Sequence, residues 1–273
     1  MVNSVTQSDL TELNLLGWES AASTPPMPPT IPIVTIKLAG DTGWSSTDGI
    51  TAKDILTGTA DPNASVKIML GSTVLGTATA NVTGAWSFTP VGLADGVRTV
   101  TASETNAAGL TGSASLNFTL DSSTPVVTSE TVSAVGISGG SGLLTAGQMA
   151  VFTLVLSEAV MISGGTPVLT LNDGGTAVYD AAHSSSTSLV FDYNVAAGQH
   201  TGALSVTAIS LNGATVTEIA GNAANFTGAV TTFPNLMVDA TTPNVVPAHA
   251  HDLLGGTVSA TATKGCAGRR FRR

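Results

Sequence analysis

Asp41 and Asp48 stand seven residues apart on a stretch punctuated by Gly43 and Gly49. Two carboxylates on one glycine-containing loop can turn toward a single hard cation. Calcium takes roughly six to eight oxygens at about 2.3–2.6 Å, from carboxylates, carbonyls and water. The same two residues can equally form Asx-turns that cap nearby backbone amides, and spacing alone leaves both readings open. The charge background makes cations the obvious counter-charge. No lysine or arginine occurs between Thr99 and Thr263, while carboxylates keep arriving; folded surfaces ordinarily intersperse both signs. Acids also mark a repeated segment, Asp121-Ser122-Ser123-Thr124-Pro125 and then Asp239-Ala240-Thr241-Thr242-Pro243, 118 residues later.

Other chemistries find little support. There is no GxSxG elbow, no phosphate-cradling or dinucleotide glycine loop, and no HExxH zinc helix. EF-hand spacing and glycine-rich nonapeptide repeats are also missing. His183, His200, His249 and His251 have no zinc spacing. Asp173 before Gly174-Gly175 reads as a turn former. Asp180, Asp192 and His183 would meet if neighbouring strands pair, with solvated surface the simpler expectation. Nothing ties two acids across a cleft as paired acid and base. The chain reads as non-enzymatic.

At 273 residues there is room for about two domains. A net charge of -9 argues against nucleic acid or an anionic membrane as partner. Cys266 is the only cysteine, so no intrachain disulfide can form. A secreted protein of this kind needs another staple, and metal is the leading candidate. No apolar run approaches the ~20 residues of a membrane span, and no N-terminal signal-peptide pattern is visible.

The elements that must position these acids are strands. Residues 1–30 hold a short helix at Asp9–Leu16, capped by Asp9 and stopped by Gly17, and then a Pro-rich run. That helix reads either as a frayed tail or as the severed end of an upstream domain, and Asp9-Leu10 through Leu16-Gly17-Trp18 resembles the closing helix of some secreted bacterial metallopeptidase-like domains. From Ile31 the hydrophobic period turns to two. Strands are predicted at 33–38, 55–60, 65–70, 73–81, 85–90, 98–104 and 113–120, separated by turn chemistry such as Asp61-Pro62-Asn63 and Thr83-Gly84. Seven short strands in about ninety residues is the pattern of an Ig-type sandwich, with Trp86 in its core. A second set is predicted at 126–135, 149–156, 167–172, 176–180, 187–195, 203–211, 215–219 and 236–239. Asp173-Gly174-Gly175 should close a hairpin, and Gly139-Gly140-Ser141-Gly142 should be a flexible loop. The expected fold is all-β: sandwiches at 31–123 and 124–243, between tails at 1–30 and 244–273. The last tail is expected to be disordered and holds five of the nine basic residues. The Asp41–Asp48 loop is expected at the end of the first sandwich where the preceding linker comes in.

Residues 41–51, Asp-Thr-Gly-Trp-Ser-Ser-Thr-Asp-Gly-Ile-Thr, resemble the opening of bacterial Ig-like repeats in very large secreted or cell-surface adhesins with RTX-type export regions. The resemblance continues through Leu56-Thr57-Gly58-Thr59-Ala60, Thr83-Gly84-Ala85-Trp86-Ser87-Phe88 and Leu93-Ala94-Asp95-Gly96. Residues 125–243 resemble a companion Ig-like or cadherin-like repeat, through Pro167-Val168-Leu169-Thr170-Leu171 and Ala220-Gly221-Asn222-Ala223-Ala224. The resemblance implies spacer or contact modules, secreted or on a bacterial surface, with calcium stiffening their junctions. It implies calcium ligands at Asp41, Asp48 and Asp121. Where the family often has Asp-Ala-Ala-Gly-Asn, this chain has Asn106-Ala107-Ala108-Gly109-Leu110, which weakens Asn106 as a ligand. Glu218 would play the analogous role in the second repeat and Asp239 would be its junction ligand. Implied partners are neighbouring Ig-like modules and a host or abiotic surface or glycan. The alternative is an accessory module of a secreted hydrolase, carbohydrate-binding or a plain spacer, with Trp44 as the one aromatic free to meet a sugar.

Overall fold

The computed structural model describes residues 28–241. The expected Asp9–Leu16 helix, the basic tail, His249, His251 and Cys266 lie outside the described residues. Among those described, every regular element is a strand except one turn of 3-10 helix at Thr227–Ala229, so the chain is all-β. No helix there is long and apolar enough to cross a membrane.

The first eight strands are β1 (Lys37–Leu38), β2 (Ile50–Thr51), β3 (Leu56–Thr59), β4 (Ser65–Leu70), β5 (Thr73–Thr79), β6 (Ala85–Phe88), β7 (Gly96–Thr105) and β8 (Thr111–Leu120). They form two sheets, β1-β3-β6 and β2-β8-β7-β4-β5. Alternation explains the layering, since successive side chains of a strand point to opposite faces. Val66 and Ile68 of β4, Val100 and Ala102 of β7, and Phe118 and Leu120 of β8 are buried in one cluster with Leu56 and Trp86 from the other sheet. Trp86 thus sits in the core as its alternation with Phe88 predicts. β7 and β8 pair from Gly96↔Leu120 to Thr105↔Thr111, and β2 runs parallel to β8.

The later strands are β9 (Val127–Ala134), β10 (Gly142–Leu144), β11 (Met149–Leu156), β12 (Met161–Ser163), β13 (Val168–Leu171), β14 (Thr176–Tyr179), β15 (Ser188–Asn194), β16 (His200–Thr201), β17 (Leu204–Ser210), β18 (Thr215–Thr217), β19 (Thr232–Phe233) and β20 (Leu236–Asp239). Seven pair in the order β19-β17-β13-β14-β15-β11-β9; β10-β20-β16 and β12-β18 form smaller sheets. By compactness the chain divides in two. The first unit holds the described residues up to Val127 with Leu156–Gly165 and Ala214–Asn225, and the second holds Thr128–Val155, Thr166–Gly213 and the described residues from Phe226. The second unit's core is built from Phe152, Leu154, Leu169, Phe191 and Tyr193, with Leu144, Leu236 and Val238 from the smaller sheet, all at most 2% exposed.

Most predicted strands recur with shifted ends, and Ser65–Leu70, Met149–Leu156 and Leu236–Asp239 recur unchanged. The stretch predicted at 33–38 contracts to Lys37–Leu38, and β2, β10, β12, β16 and β19 were not predicted. Each unpredicted strand is two or three residues long, too short to show a period. Asp173-Gly174-Gly175 closes the β13–β14 hairpin as expected, with Leu171 N–H on Gly175 O at 2.9 Å. Gly139–Gly142 differs from expectation. Ser138 and Ser141 exchange backbone hydrogen bonds of 3.1 and 3.0 Å across Gly139 and Gly140, both at positive φ. That is a tight hairpin turn whose two central positions demand left-handed backbone.

Glu130 of β9 has both carboxyl oxygens buried without a well-formed hydrogen bond. Burial pushes its pKa from 4.5 up to about 7, and the Thr231 hydroxyl offsets only part of that cost. The folded protein therefore holds this proton more tightly than the unfolded chain. Its contribution is fully present below pH 4.5, and stability falls as pH rises from there to about 7. Glu130→Gln should flatten the melting-temperature profile across that window and melt higher than the parent at pH 8. Parallel profiles for the two proteins would contradict it.

Candidate functional site

The loop between β1 and β2 folds around Asp41. Its Oδ2 accepts the Gly49 N–H at 2.9 Å, and Asp48 Oδ1 accepts the Ile50 N–H at 3.0 Å. Asp41 Oδ1 is buried without a hydrogen-bond partner. The two aspartates line one cavity of about 500 Å³ with Lys37, Ser46 and Thr47. The loop's position differs from expectation. Thr119 N–H bonds Gly49 O at 2.7 Å and Asp121 N–H bonds Thr51 O at 3.0 Å. The loop therefore lies at the trailing end, where Asp121 leaves. The chain comes in at the opposite end of the β7–β8 hairpin, where Asn106 Nδ2 donates to Thr30 O at 2.8 Å. The parallel pairing of β2 with β8 forces this placement.

Within the same compact unit, the loop docks on the turn 218–222. Trp44 N–H bonds Ile219 O at 3.2 Å, Ala52 N–H bonds Ala220 O at 3.2 Å, and Thr42 Oγ1 donates to Ala220 O at 2.6 Å. Two glycines permit the approach. A Cβ on Gly43 (φ 102°) would lie 2.0 Å from Ile219 O, and one on Gly221 (φ 99°) would lie 2.7 Å from Gly43 N. Glu218 holds the turn. It is 2% exposed, and its oxygens accept Ala220 N–H at 2.6 Å, Asn222 N–H at 2.7 Å and Asn222 Nδ2 at 2.9 Å. Asn222 Nδ2 also donates to Asp121 O at 2.8 Å. The three bonds to the Glu218 carboxylate are charge-assisted, stronger than neutral ones.

The six residues expected as ligands fall in four places. Asp41 and Asp48 share one cavity. Asp121 and Glu218 line another, of about 340 Å³, with Glu158 and Trp44. Asn106 caps its own turn at the far end of the hairpin, its Oδ1 accepting Ala108 and Leu110 N–H at 3.0 and 3.1 Å. Asp239, in the second unit, accepts the Thr241 hydroxyl at 2.6 Å and its N–H at 3.2 Å, and those bonds hold its carboxyl below the usual range. Asp121 likewise accepts the Ser123 hydroxyl at 2.5 Å and its N–H at 3.1 Å. The repeated linker acid is thus a repeated turn cap. No group of three or more His, Cys, Asp or Glu among the described residues is arranged to hold a metal ion. Asp180 and His183 do pair, on the protein surface, and His183 shares a cavity with Asp192.

Sequence reasoning missed Thr42, Ala52, Glu158 and the side chain of Asn222. The available signal was the glycine in each partner, Gly43 and Gly221, since close backbone approach selects glycine.

Residues 28–122 match the family described as Bacterial Ig-like domain. No curated protein matches the sequence. Among solved structures, the fibronectin(III)-like modules of Clostridium thermocellum CbhA align at 14% identity and TM-score 0.31, over 80% of this chain and 100% of theirs. A 1.5-MDa bacterial ice-binding adhesin aligns at 17% identity and TM-score 0.39, over 78% and 66%. A Ca2+-stabilized adhesin with which an Antarctic bacterium binds ice aligns at 20% identity and TM-score 0.38, over 77% of this chain and 49% of that one. Likeness at this level carries no functional weight for the present chain.

Gly43→Ala should separate loop from turn, at a cost of about 1–3 kcal/mol for the backbone strain and the clash. Hydrogen exchange checks it. The Trp44 and Ala52 amides should exchange faster while those of β7 and β8 stay protected, and unchanged Trp44 and Ala52 rates would refute the seam.

Proposed function

We propose that the chain is a non-enzymatic structural or adhesive module of a bacterial surface or secreted protein, working as a spacer. The observation that carries this reading is the seam between the 41–52 loop and the 218–222 turn, together with the Ig-like match of residues 28–122. Acids and amides that could have served chemistry are spent on fixing backbone: Asp41, Asp48, Asn106, Asp121, Glu218 and Asp239 each cap main-chain N–H groups. Fixed loops at the end of a sandwich suit a part that must hold its shape under load.

Calcium belongs to this reading at one place. Glu218 is a poor ligand because three N–H donors already occupy its oxygens. Asp41 and Asp48 fit better, because Asp41 Oδ1 is buried without a partner and both acids line one cavity. A cation there would neutralise two carboxylates on the loop that makes the seam, and would stabilise the fold by mass action. Millimolar calcium should raise the melting temperature relative to EDTA, and Asp41→Asn with Asp48→Asn should abolish that response while the protein stays folded. Superimposable melting curves in calcium and EDTA would remove calcium from the account.

A second reading, a carbohydrate-binding accessory module of a secreted hydrolase, draws on Trp44. It is 42% exposed and lines the cavity with Asp121, Glu158 and Glu218. Retention on a glycan array that disappears in Trp44→Ala would favour it; no retention would leave the spacer.

A further inference from the structure

The turn that receives the 41–52 loop has a twin. Residues 106–110 and 218–222 carry the same hydrogen bonds position for position. The first residue's side chain accepts the third and fifth N–H: Asn106 Oδ1 takes Ala108 and Leu110, and Glu218 takes Ala220 and Asn222. The first N–H reaches the fifth carbonyl, Asn106 to Leu110 at 3.0 Å and Glu218 to Asn222 at 3.1 Å. The fourth N–H returns to the first carbonyl, Gly109 to Asn106 at 2.9 Å and Gly221 to Glu218 at 3.1 Å. Both fourth residues are glycines at positive φ. Flanking residues pair in each, Thr105↔Thr111 and Thr217↔Ala223. Each turn also grips the carbonyl of the segment arriving beside it, Thr30 O through Asn106 Nδ2 and Asp121 O through Asn222 Nδ2.

The twins differ in what covers them. Ala220 is 0% exposed, and its carbonyl and that of Ile219 accept three donors from the 41–52 loop. Ala107, Ala108 and Gly109 are exposed, and no donor among the described residues reaches the carbonyls of Ala107 and Ala108. A Cβ on Gly109 would meet nothing within 4 Å, where one on Gly221 meets Gly43.

We infer that the 106–110 turn is a receptor for the trailing-end loop of another Ig-like β-sandwich, a loop of the Asp-Thr-Gly-Trp type that residues 41–44 present to the 218–222 turn. The occupant is fixed by the twin, which shows such a loop seated on the same hydrogen-bond frame. Recognition runs through backbone: two N–H groups and a hydroxyl meet paired carbonyls, with glycine facing glycine. The partner therefore needs a left-handed glycine two residues after its loop aspartate, and little else in common with this chain. The inference names the neighbour that a spacer would have, and it rests on the spacer reading for the neighbour's existence in one polypeptide.

The test is a chain with a second copy of residues 31–121 inserted between Thr30 and Ile31, which puts the copy's Asp121 carbonyl where Thr30's stands. Amide hydrogen exchange is read at the copy's Trp44 and Ala52, with the original Trp44 and Ala52 as internal reference. Both copy amides should be protected like the originals, and Ala108→Arg in the host should speed their exchange about tenfold, the loss of one net hydrogen bond. Fast exchange in the copy, or protection indifferent to Ala108→Arg, overturns the inference. The uninserted chain gives a check that does not depend on the copy folding. Ala108→Arg should leave its melting temperature unchanged, whereas Ala220→Arg, at the covered twin position, should lower it. Equal losses would show that the 106–110 turn is already covered, by residues 1–27 or otherwise, and would overturn the receptor. Neither result bears on surface retention or on glycan binding, so the spacer reading stands or falls separately.

Discussion

A buried carboxylate that is fully partnered sets the rest of the first unit. Glu218 lies in a position where an unpaired charge would cost several kcal/mol, and its own turn supplies three N–H donors to meet it. Once the turn is fixed, Ile219 and Ala220 present their carbonyls outward as a pair. The 41–52 loop can then close on them through main-chain donors, provided that both sides bring glycine to the contact. Asn222, oriented by the same carboxylate, reaches the Asp121 carbonyl and fixes the chain as it leaves β8. One acid thereby organises a turn, a loop and a linker.

This arrangement changes the meaning of the chain's acidity. An excess of carboxylates with no lysine or arginine over more than half of the sequence suggests sites waiting for cations. The structure shows half of the described acids tied locally instead, two residues ahead or across a short loop, and Asp121 and Asp239 repeat one cap on Ser123 and Thr241. Hydroxyl-rich composition makes this possible, because serine and threonine supply donors at short range without charge. Asp41, Glu130 and Glu158 each keep a buried oxygen without a hydrogen-bond partner. Asp41 shares its cavity with a second aspartate, Asp48, on the loop that makes the seam, which is why the cation proposal is placed there.

The strand plan was legible because burial follows a period of two wherever strands are long. Val66 and Ile68, Phe152 and Leu154, and Trp86 could be assigned to the core from alternation. The residues that build the seam were not legible, for a physical reason. Its contacts are made by backbone groups of loops, and a carbonyl such as that of Ala220 leaves no mark on side-chain pattern. Glycine was the only trace, and thirty glycines dilute it. The Asp41–Asp48 loop was expected at the wrong end because β2, two residues long, was unpredicted, and its parallel pairing with β8 is what turns the loop around. The resemblance between Asn106-Ala107-Ala108-Gly109 and Glu218-Ile219-Ala220-Gly221 was readable as an analogy of ligands. In the folded protein it is an analogy of turns.

The most direct measurement is amide hydrogen exchange at Ala220 and Asn222 in EDTA, compared between the parent protein and Glu218→Ala. The account predicts slow exchange in the parent without any metal and a loss of that protection at both amides when the carboxylate is removed. Fast exchange in the metal-free parent, restored to slow by added calcium, would show that an ion and not Glu218 holds the turn, and would contradict the account.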